Sequence, residues 1–481
     1  MATTSDSPGR THSRSTARAP RPGLVLAVLA LTSTNAAFLQ TLIVPIQADL
    51  PALLSASKDD TAWVLTATLV SAAVIHPIGG RLGDLYGKRR VVLGLLVVLC
   101  AGSLLAAAAP SLTTVIIGRA MQGAAMGVTP LSIAILRETQ PPQRLAASVA
   151  TVTGTVGVGA AVGLPLGGIV AQLLAWQAIF WFSVLLSAIC FLLVTLAVPP
   201  SSSRAAGRFD PLGAAGLALG LVGILLAVSK GASWGWLSPL TLGCGIGGVA
   251  VLLLWGVYQL RRRSPVVDLR LAARPAVLFT NLTGIAVGFG LLGFTVALPQ
   301  LLVAPLAVGG LALSLIAASL VMLPQGLVMI LAAPLVGRLH GRIGPRSVLL
   351  IGLVSLLASF GLLALSTQLW QLVLTAVLFG VGVAFCQGVM PVIIMGAVPL
   401  TQTASANGLN SLHRSTGTAT GAAVIGAVLA ATATTVDGAA VPTHAGFVLA
   451  CATGAAVMVM GFVLALLIPR PGRVPAPSRD T

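Results

Sequence analysis

Runs of about 20 apolar residues recur fourteen times in this 481-residue chain, near 24–46, 63–78, 91–109, 112–136, 146–173, 176–198, 212–228, 240–260, 275–301, 313–335, 348–365, 369–398, 404–430 and 444–468. That length is what a helix needs to cross about 30 Å of hydrocarbon. Lipid offers the backbone no hydrogen-bond partner, so such spans are helical. The expectation is an all-α polytopic membrane protein with 14 transmembrane helices. Composition agrees, since only 8% of residues are charged, against about 25% in a soluble domain. The first run is too long for the apolar core of a cleaved signal peptide and reads as a span.

Two short stretches punctuate the runs. One joins the second and third runs from Pro77 to Arg90, and the other lies 257 positions later, from Pro334 to Arg346. Aligned without gaps they share Pro, Gly-Arg-Leu, a Gly and an Arg. A tight, basic, Gly-rich turn repeated at matching depth predicts a duplicated bundle with both turns on one membrane face.

The net charge of +17 raises the question of a nucleic-acid partner, and the distribution answers it. All Lys and Arg except Lys58, Lys230, Arg119 and Arg414 fall in the termini or in connections that a fourteen-span topology places on one side. This is the positive-inside pattern, with both termini cytoplasmic and no nucleic acid required. The predicted organisation is a disordered arm (1–21), an N-terminal six-helix bundle (22–198), a linker with two inserted spans (199–274), a C-terminal six-helix bundle (275–468) and a cytoplasmic tail (469–481). Pro199-Pro200-Ser201 opens the linker. The turn Trp234-Gly235-Trp236 between the inserted spans reads as a membrane-interface anchor. Five cysteines lie in apolar runs, odd in number and without metal spacing, so they read as packing residues, with no disulfide and no metal.

The first turn resembles the loop signature of the major facilitator superfamily, G-x-L-a-D-r-x-G-r-k, at Gly80, Leu82, Asp84, Gly87, Lys88 and Arg89. The resemblance implies the major facilitator fold and a gating role for Gly80, Arg81, Asp84, Gly87, Lys88 and Arg89. Physically, a carboxylate at a helix end can pair with a nearby Arg or face a helix N-terminus, locking two bundles together. The second copy has Gly341 at the matching position, so the acid belongs to the first half alone. Residues 118–123 are similar to the superfamily motif G-R-x-x-Q-G, which implies that Arg119 assists proton transfer. A charge near the middle of a membrane helix costs at least about 2.5–3.5 kcal/mol, which favours function, with outward snorkelling as the structural alternative. In the fifth span Gly159, Gly163, Gly167 and Gly168 resemble the antiporter motif G-x-x-x-G-P-x-x-G-G. Leu164 stands where that motif has Pro, and Pro165 follows one residue late. The six-two-six plan, the stretch 208–213, the Trp234 turn and residues 267–270 resemble the fourteen-helix drug:proton antiporter family.

One departure bears on mechanism. That family carries an Asp in its first helix, where this chain has Asn35, with Gln40 at the family's Asn. All ten acids, Asp6, Asp49, Asp59, Asp60, Asp84, Glu138, Asp210, Asp268, Asp437 and Asp480, fall in tails, connections or helix ends. Proton exchange is left to Asp49, His76, Asp84 or His413, with Arg119, His413 and Arg414 as the relay residues; His76, next to Pro77, reads as structural. Asn35, Gln40, Gln122, Gln300, Gln325, Gln387 and Asn410 are the expected polar lining of a substrate cavity. No catalytic constellation appears, so an enzyme is not expected. The expected function is export of a small drug- or antibiotic-like compound by alternating access, through proton-coupled antiport, by a monomer in the bacterial cytoplasmic membrane. No cofactor is expected beyond the proton gradient. The alternative is a facilitated or differently coupled transporter of a neutral or anionic metabolite, because Asn35 does not titrate.

Overall fold

The computed structural model describes residues 22–43, 46–47, 49–108, 111–366, 368–436 and 439–470. The expected N-terminal arm, the tail beyond Arg470, and Asp6, Asp437 and Asp480 lie outside them. Among the described residues the chain forms fourteen helical rods. The first half contains α1 (Pro22–Thr41), α2 (Trp63–Tyr86), α3 (Lys88–Ala108), α4a (Leu112–Ala124) with α4b (Val128–Thr139), α5 (Pro142–Leu173) and α6 (Ala178–Ala197). The insert is α7 (Pro211–Trp234) and α8 (Pro239–Arg261). The second half contains α9 (Pro275–Val303), α10a (Leu315–Leu331) with α10b (Ala333–Ile343), α11 (Pro345–Leu365), α12 (Leu369–Ala397), α13 (Thr403–Ala431) and α14 (His444–Leu466). Ten of these are long and apolar enough to cross a membrane by themselves, and the bent pair α10a–α10b makes an eleventh.

Local chemistry explains the boundaries. Asp210 and Ser238 cap α7 and α8, each followed by Pro at the first helical position, and Thr443 caps α14. Helix α2 runs eight residues past its expected end at Ile78, so most of the Gly-rich stretch is helix rather than loop. The chain breaks only at Gly87, where φ is +100°, and at the equivalent Gly344, where φ is +79°. These values suit glycine because a Cβ is strained there. Three further departures concern shape. The fourth rod is interrupted by a 3₁₀ turn at Ala125–Gly127, and the tenth bends by 47° at Ala332. An antiparallel hairpin, β1 (Ala433–Val436) with β2 (Ala439–Pro442), joins α13 to α14, with Thr434 opposite Val441. Its β-branched residues favour that pairing over helix, so the fold is all-α apart from this ribbon.

Each half has its own apolar core. In the first it gathers Leu29, Leu96, Val115, Leu131 and Phe180. In the second, Phe294 stacks on Phe379 with ring centroids 3.9 Å apart, and Phe360 meets both edge-on. The insert forms a third cluster, in which Leu217, Leu221 and Leu225 of α7 pack on Ala73 of α2 and on Leu409 and Leu412 of α13. The α7–α8 pair therefore lies along one flank of the seam between the halves.

Close approaches across the seam lie at the end that carries the Gly87 and Gly344 turns, here termed the basic end. A Cβ on Gly80 would collide with the Ala404 carbonyl, and one on Gly408 with the His76 carbonyl. On the other flank, Gly154 faces the Met329 carbonyl and Gly388 faces Ala150. The basic end is thus shut by backbone-to-backbone packing that small residues permit. Replacing Gly408 with Leu is expected to destabilise this packing by about 1–3 kcal/mol. Gly426→Leu, where a Cβ meets open space, is expected to be near neutral. Thermal unfolding of the two purified variants checks the contrast.

Candidate functional site

Asp84 stands on the last full turn of α2, fully buried at the seam. Its Oδ1 accepts from the Ala404 N–H at 3.1 Å, and its Oδ2 accepts from the Ser405 N–H at 2.8 Å and the Ser405 hydroxyl at 2.7 Å. Those amides belong to the first turn of α13, which has no intrahelical acceptors, and the preceding Gln402 gives no side-chain cap. A carboxylate from the first half therefore caps a helix of the second, where the helix dipole also favours negative charge. Of the two options open in the sequence, the helix N-terminus takes Asp84. Its cationic neighbour is Lys88 rather than an Arg, with Nζ 3.7 Å from Oδ1.

Lys88 Nζ also donates to Glu138 Oε1 at 2.6 Å, and both Lys88 and Asp84 are wholly buried. Glu138, at the end of α4b, accepts from the Ser203 hydroxyl at 2.6 Å and the Ser202 N–H at 3.3 Å. The linker is thereby strapped beneath the α2–α3 turn, and the Ala205 N–H donates to the Asp84 carbonyl at 2.7 Å. Arg137 reaches across the seam, donating to the Thr403 hydroxyl at 2.7 Å and the Val398 carbonyl at 3.1 Å. Arg81 donates to the Ser264 hydroxyl at 2.7 Å, and Arg89 to the Thr195 carbonyl at 2.5 Å. Gly80 permits the approach of α13, and Gly87 turns Lys88 back toward Asp84. Nothing in the sequence marks Glu138, Arg137, Ser203 and Ser405 as members of one cluster. Their partners lie far away in the chain, and no spacing pattern links them.

The other expected residues fall into separate groups. Arg119 is 1% exposed, so it does not snorkel outward. Its Nη1 donates to the Leu39 carbonyl at 3.1 Å and to Gln122 Oε1 at 2.8 Å, while Nε and Nη2 are buried without partners. Gln122 continues the chain to the Ser103 hydroxyl, which pairs with Ser183 at 2.6 Å. No hydrogen bond among the described residues joins this network to His413 or Arg414 on α13. His413 Nδ1 lies 2.8 Å from the Leu409 carbonyl, within its own helix. His76 sits on the seam with Nδ1 3.4 Å from the Ser415 hydroxyl.

Three of the seven polar lining residues, Asn35, Gln122 and Asn410, are engaged inside their own half. Asn35 is buried and donates to Ser187 at 3.4 Å, and Asn410 donates to Asn281 at 3.1 Å, a partner the sequence reading missed. Gln387 is buried, Gln40 and Gln325 are half-buried, and Gln300 is exposed. On α5, Gly159, Gly163 and Gly167 face Thr34, Phe38, Thr41 and Leu42 of the α1 region. The side chains at 164, 165 and 168, including Pro165 and Gly168 of the expected motif, lie outside the described residues.

Two helical halves with matching turns, polar side chains buried within their spans and a charged latch across their seam define a membrane transporter rather than an enzyme. The chain matches the Major Facilitator Superfamily over residues 26–280 and again over 280–481, and it belongs to that superfamily. It is 30% identical over 408 residues to the multidrug resistance protein Stp of Mycobacterium tuberculosis, covering 82% of this chain and 73% of that one. It is 30% identical over 306 residues to the multidrug resistance protein B homolog of the same species, covering 63% of this chain and 56% of that one, so it spans little more than half of that relative. The crystal structure of the human organic anion transporter MFSD10 (TETRAN) superimposes with a TM-score of 0.64 at 18% identity, over 93% of this chain and 100% of that one, a likeness of fold.

Asp84→Asn keeps the shape of the side chain and removes its charge. The amides of Ala404 and Ser405, protected by that carboxylate, are expected to exchange with deuterium about ten to a hundred times faster, as follows from losing roughly 1.5–3 kcal/mol of charge-assisted bonding. Hydrogen-exchange mass spectrometry of the α13 start checks this, and amides of the α9–α13 contact, remote from Asp84, are expected to stay unchanged.

Proposed function

We propose that this protein exports a small organic, drug- or antibiotic-like compound across a bacterial cytoplasmic membrane by alternating access, as a proton-coupled antiporter. In this reading the chain crosses the bilayer fourteen times, as six, two and six spans, with the basic end and both termini in the cytoplasm. The observation that carries it is the Asp84 cap on α13, a switchable contact between two halves at one end of the seam. The names of the two mycobacterial relatives support drug-like cargo.

The interior chemistry narrows the cargo. The described acids lie at or beyond the ends of the rods, whereas Arg119 and Arg414 lie within α4a and α13. A cavity with cations and no carboxylate favours neutral, zwitterionic or anionic amphiphiles over lipophilic cations. Because Asn35 does not titrate, proton coupling is assigned among Asp49, His76, Asp84 and His413, with Arg119, His413 and Arg414 as relay residues. Of the two histidines, His76 is on the seam itself, so its protonation acts where the halves part. The amide at Asn35 also favours a second reading, facilitated or differently coupled movement.

Expression in a pump-deficient bacterium, screened across antibiotics and dyes with and without an uncoupler, tests both. The expected outcome is resistance to at least one neutral or acidic compound, lost when the proton gradient collapses. Efflux that persists under the uncoupler selects the second reading. A clear preference for quaternary cations overturns the cargo class, and no resistance to any compound overturns export.

A further inference from the structure

A cavity of about 160 Å³ opens at the basic end beside the latch. Its walls come from Arg81 of α2, the strap at 205–206, the connection at 263–268 and residues 401–405 at the start of α13. It therefore straddles the seam, and it is far larger than a single water requires. Arg81 is 7% exposed, and its Nη2 is committed to Ser264. Its Nε is buried with no acceptor. No carboxylate among the described residues lies within ion-pair distance of Arg81 or Arg263. Asp268 also lines the cavity, but its Oδ1 accepts from the Arg270 and Leu271 N–H groups, both at 3.1 Å, capping the short helix Leu269–Ala272. Thr401, Gln402 and Ser405 add polar groups from the second half.

Asp84 and Asp268 act on Arg81 only from beyond ion-pair distance, and a buried guanidinium left with an unpaired N–H is costly unless an anion completes its hydrogen bonding. The planar fork of Arg matches the oxygens of a phosphate, and two arginines against one committed Asp leave the charged lining net positive. We propose that this cavity binds a phosphate group held by Arg81 and Arg263, with Gln402 and Ser405 as contacts from the other half. An occupant bridging those walls clasps the basic end shut. The site does not depend on which compound is carried. Two sources present this chemistry, the headgroup of an anionic phospholipid and free inorganic phosphate.

The test uses the full chain in nanodiscs of phosphatidylcholine. One arm titrates inorganic phosphate against chloride at equal ionic strength, and the other adds phosphatidylglycerol to the disc. The readouts are the thermal midpoint and deuterium exchange at residues 401–405. A saturable rise in midpoint with slower exchange is expected in at least one arm. Arg263→Gln is expected to raise the half-saturating concentration about tenfold or more, as for loss of a charge-assisted contact, and Arg263→Lys to recover part of it. Gln402→Ala, which leaves every charge in place, is a second variant expected to weaken the response. A response to phosphatidylglycerol alone assigns the site to a lipid headgroup, and a response to phosphate assigns it to the free anion. No response in either arm, or a response undiminished in both Arg263→Gln and Gln402→Ala, overturns the proposal.

Discussion

A carboxylate on one half of the molecule closes the open end of a helix in the other half, and the rest of the basic end is arranged around that bond. Buried amides at the start of α13 must have an acceptor. Gln402 supplies none, and Asp84 does. The burial of Asp84 in turn requires compensation, from α13 and from Lys88, which needs Glu138, which holds the strap through Ser202 and Ser203. Each group in the series answers a desolvation penalty created by the one before it.

Such a network has large gross interactions and a small net value. In the alternating-access cycle proposed above, parting of the halves lets water reach both the carboxylate and the helix end, so the difference between shut and open is on the order of a few kcal/mol. Ligand binding in general acts on that scale. The glycines set the geometry without adding to the bond energy. They let α2 meet α13 and α5 meet α10a backbone to backbone, and a shut state of that closeness has few intermediate positions.

The placement of the long apolar helices could be read from the chain because length and apolarity are local properties, and ten of them, or eleven with the bent pair, are apolar enough to span a membrane against the fourteen expected. So could the paired turns, since Gly87 and Gly344 are the points where the backbone needs positive φ. The residues just before Gly87 misled for a physical reason. Gly79, Gly80 and Gly83 resemble turn punctuation, yet they lie inside α2, where Gly80 and Gly83 keep one helix face thin for its neighbours. The bend at Ala332, the interruption at Ala125 and the hairpin after α13 depend on neighbours and loop pairing that no periodicity reports. The acid at Asp84 stood out in the sequence, whereas its partners at 404 and 405 did not, because 320 residues intervene. Polar side chains within spans were legible as a class, but not their destinations. Asn35 and Asn410 are each claimed by a neighbour in their own half.

The insert makes the two sides of the seam unequal. Helix α7 lies over the line where α2 meets α13, while the line where α5 meets α10a and α12 has no such cover among the described residues. A molecule dissolved in the bilayer that approaches from the covered side meets a helical wall. From the opposite side it meets the junction of the halves directly. The two flanks of the seam therefore present different surfaces to lipid, and the additional pair of helices gives the molecule a handedness that a bare two-bundle plan would lack.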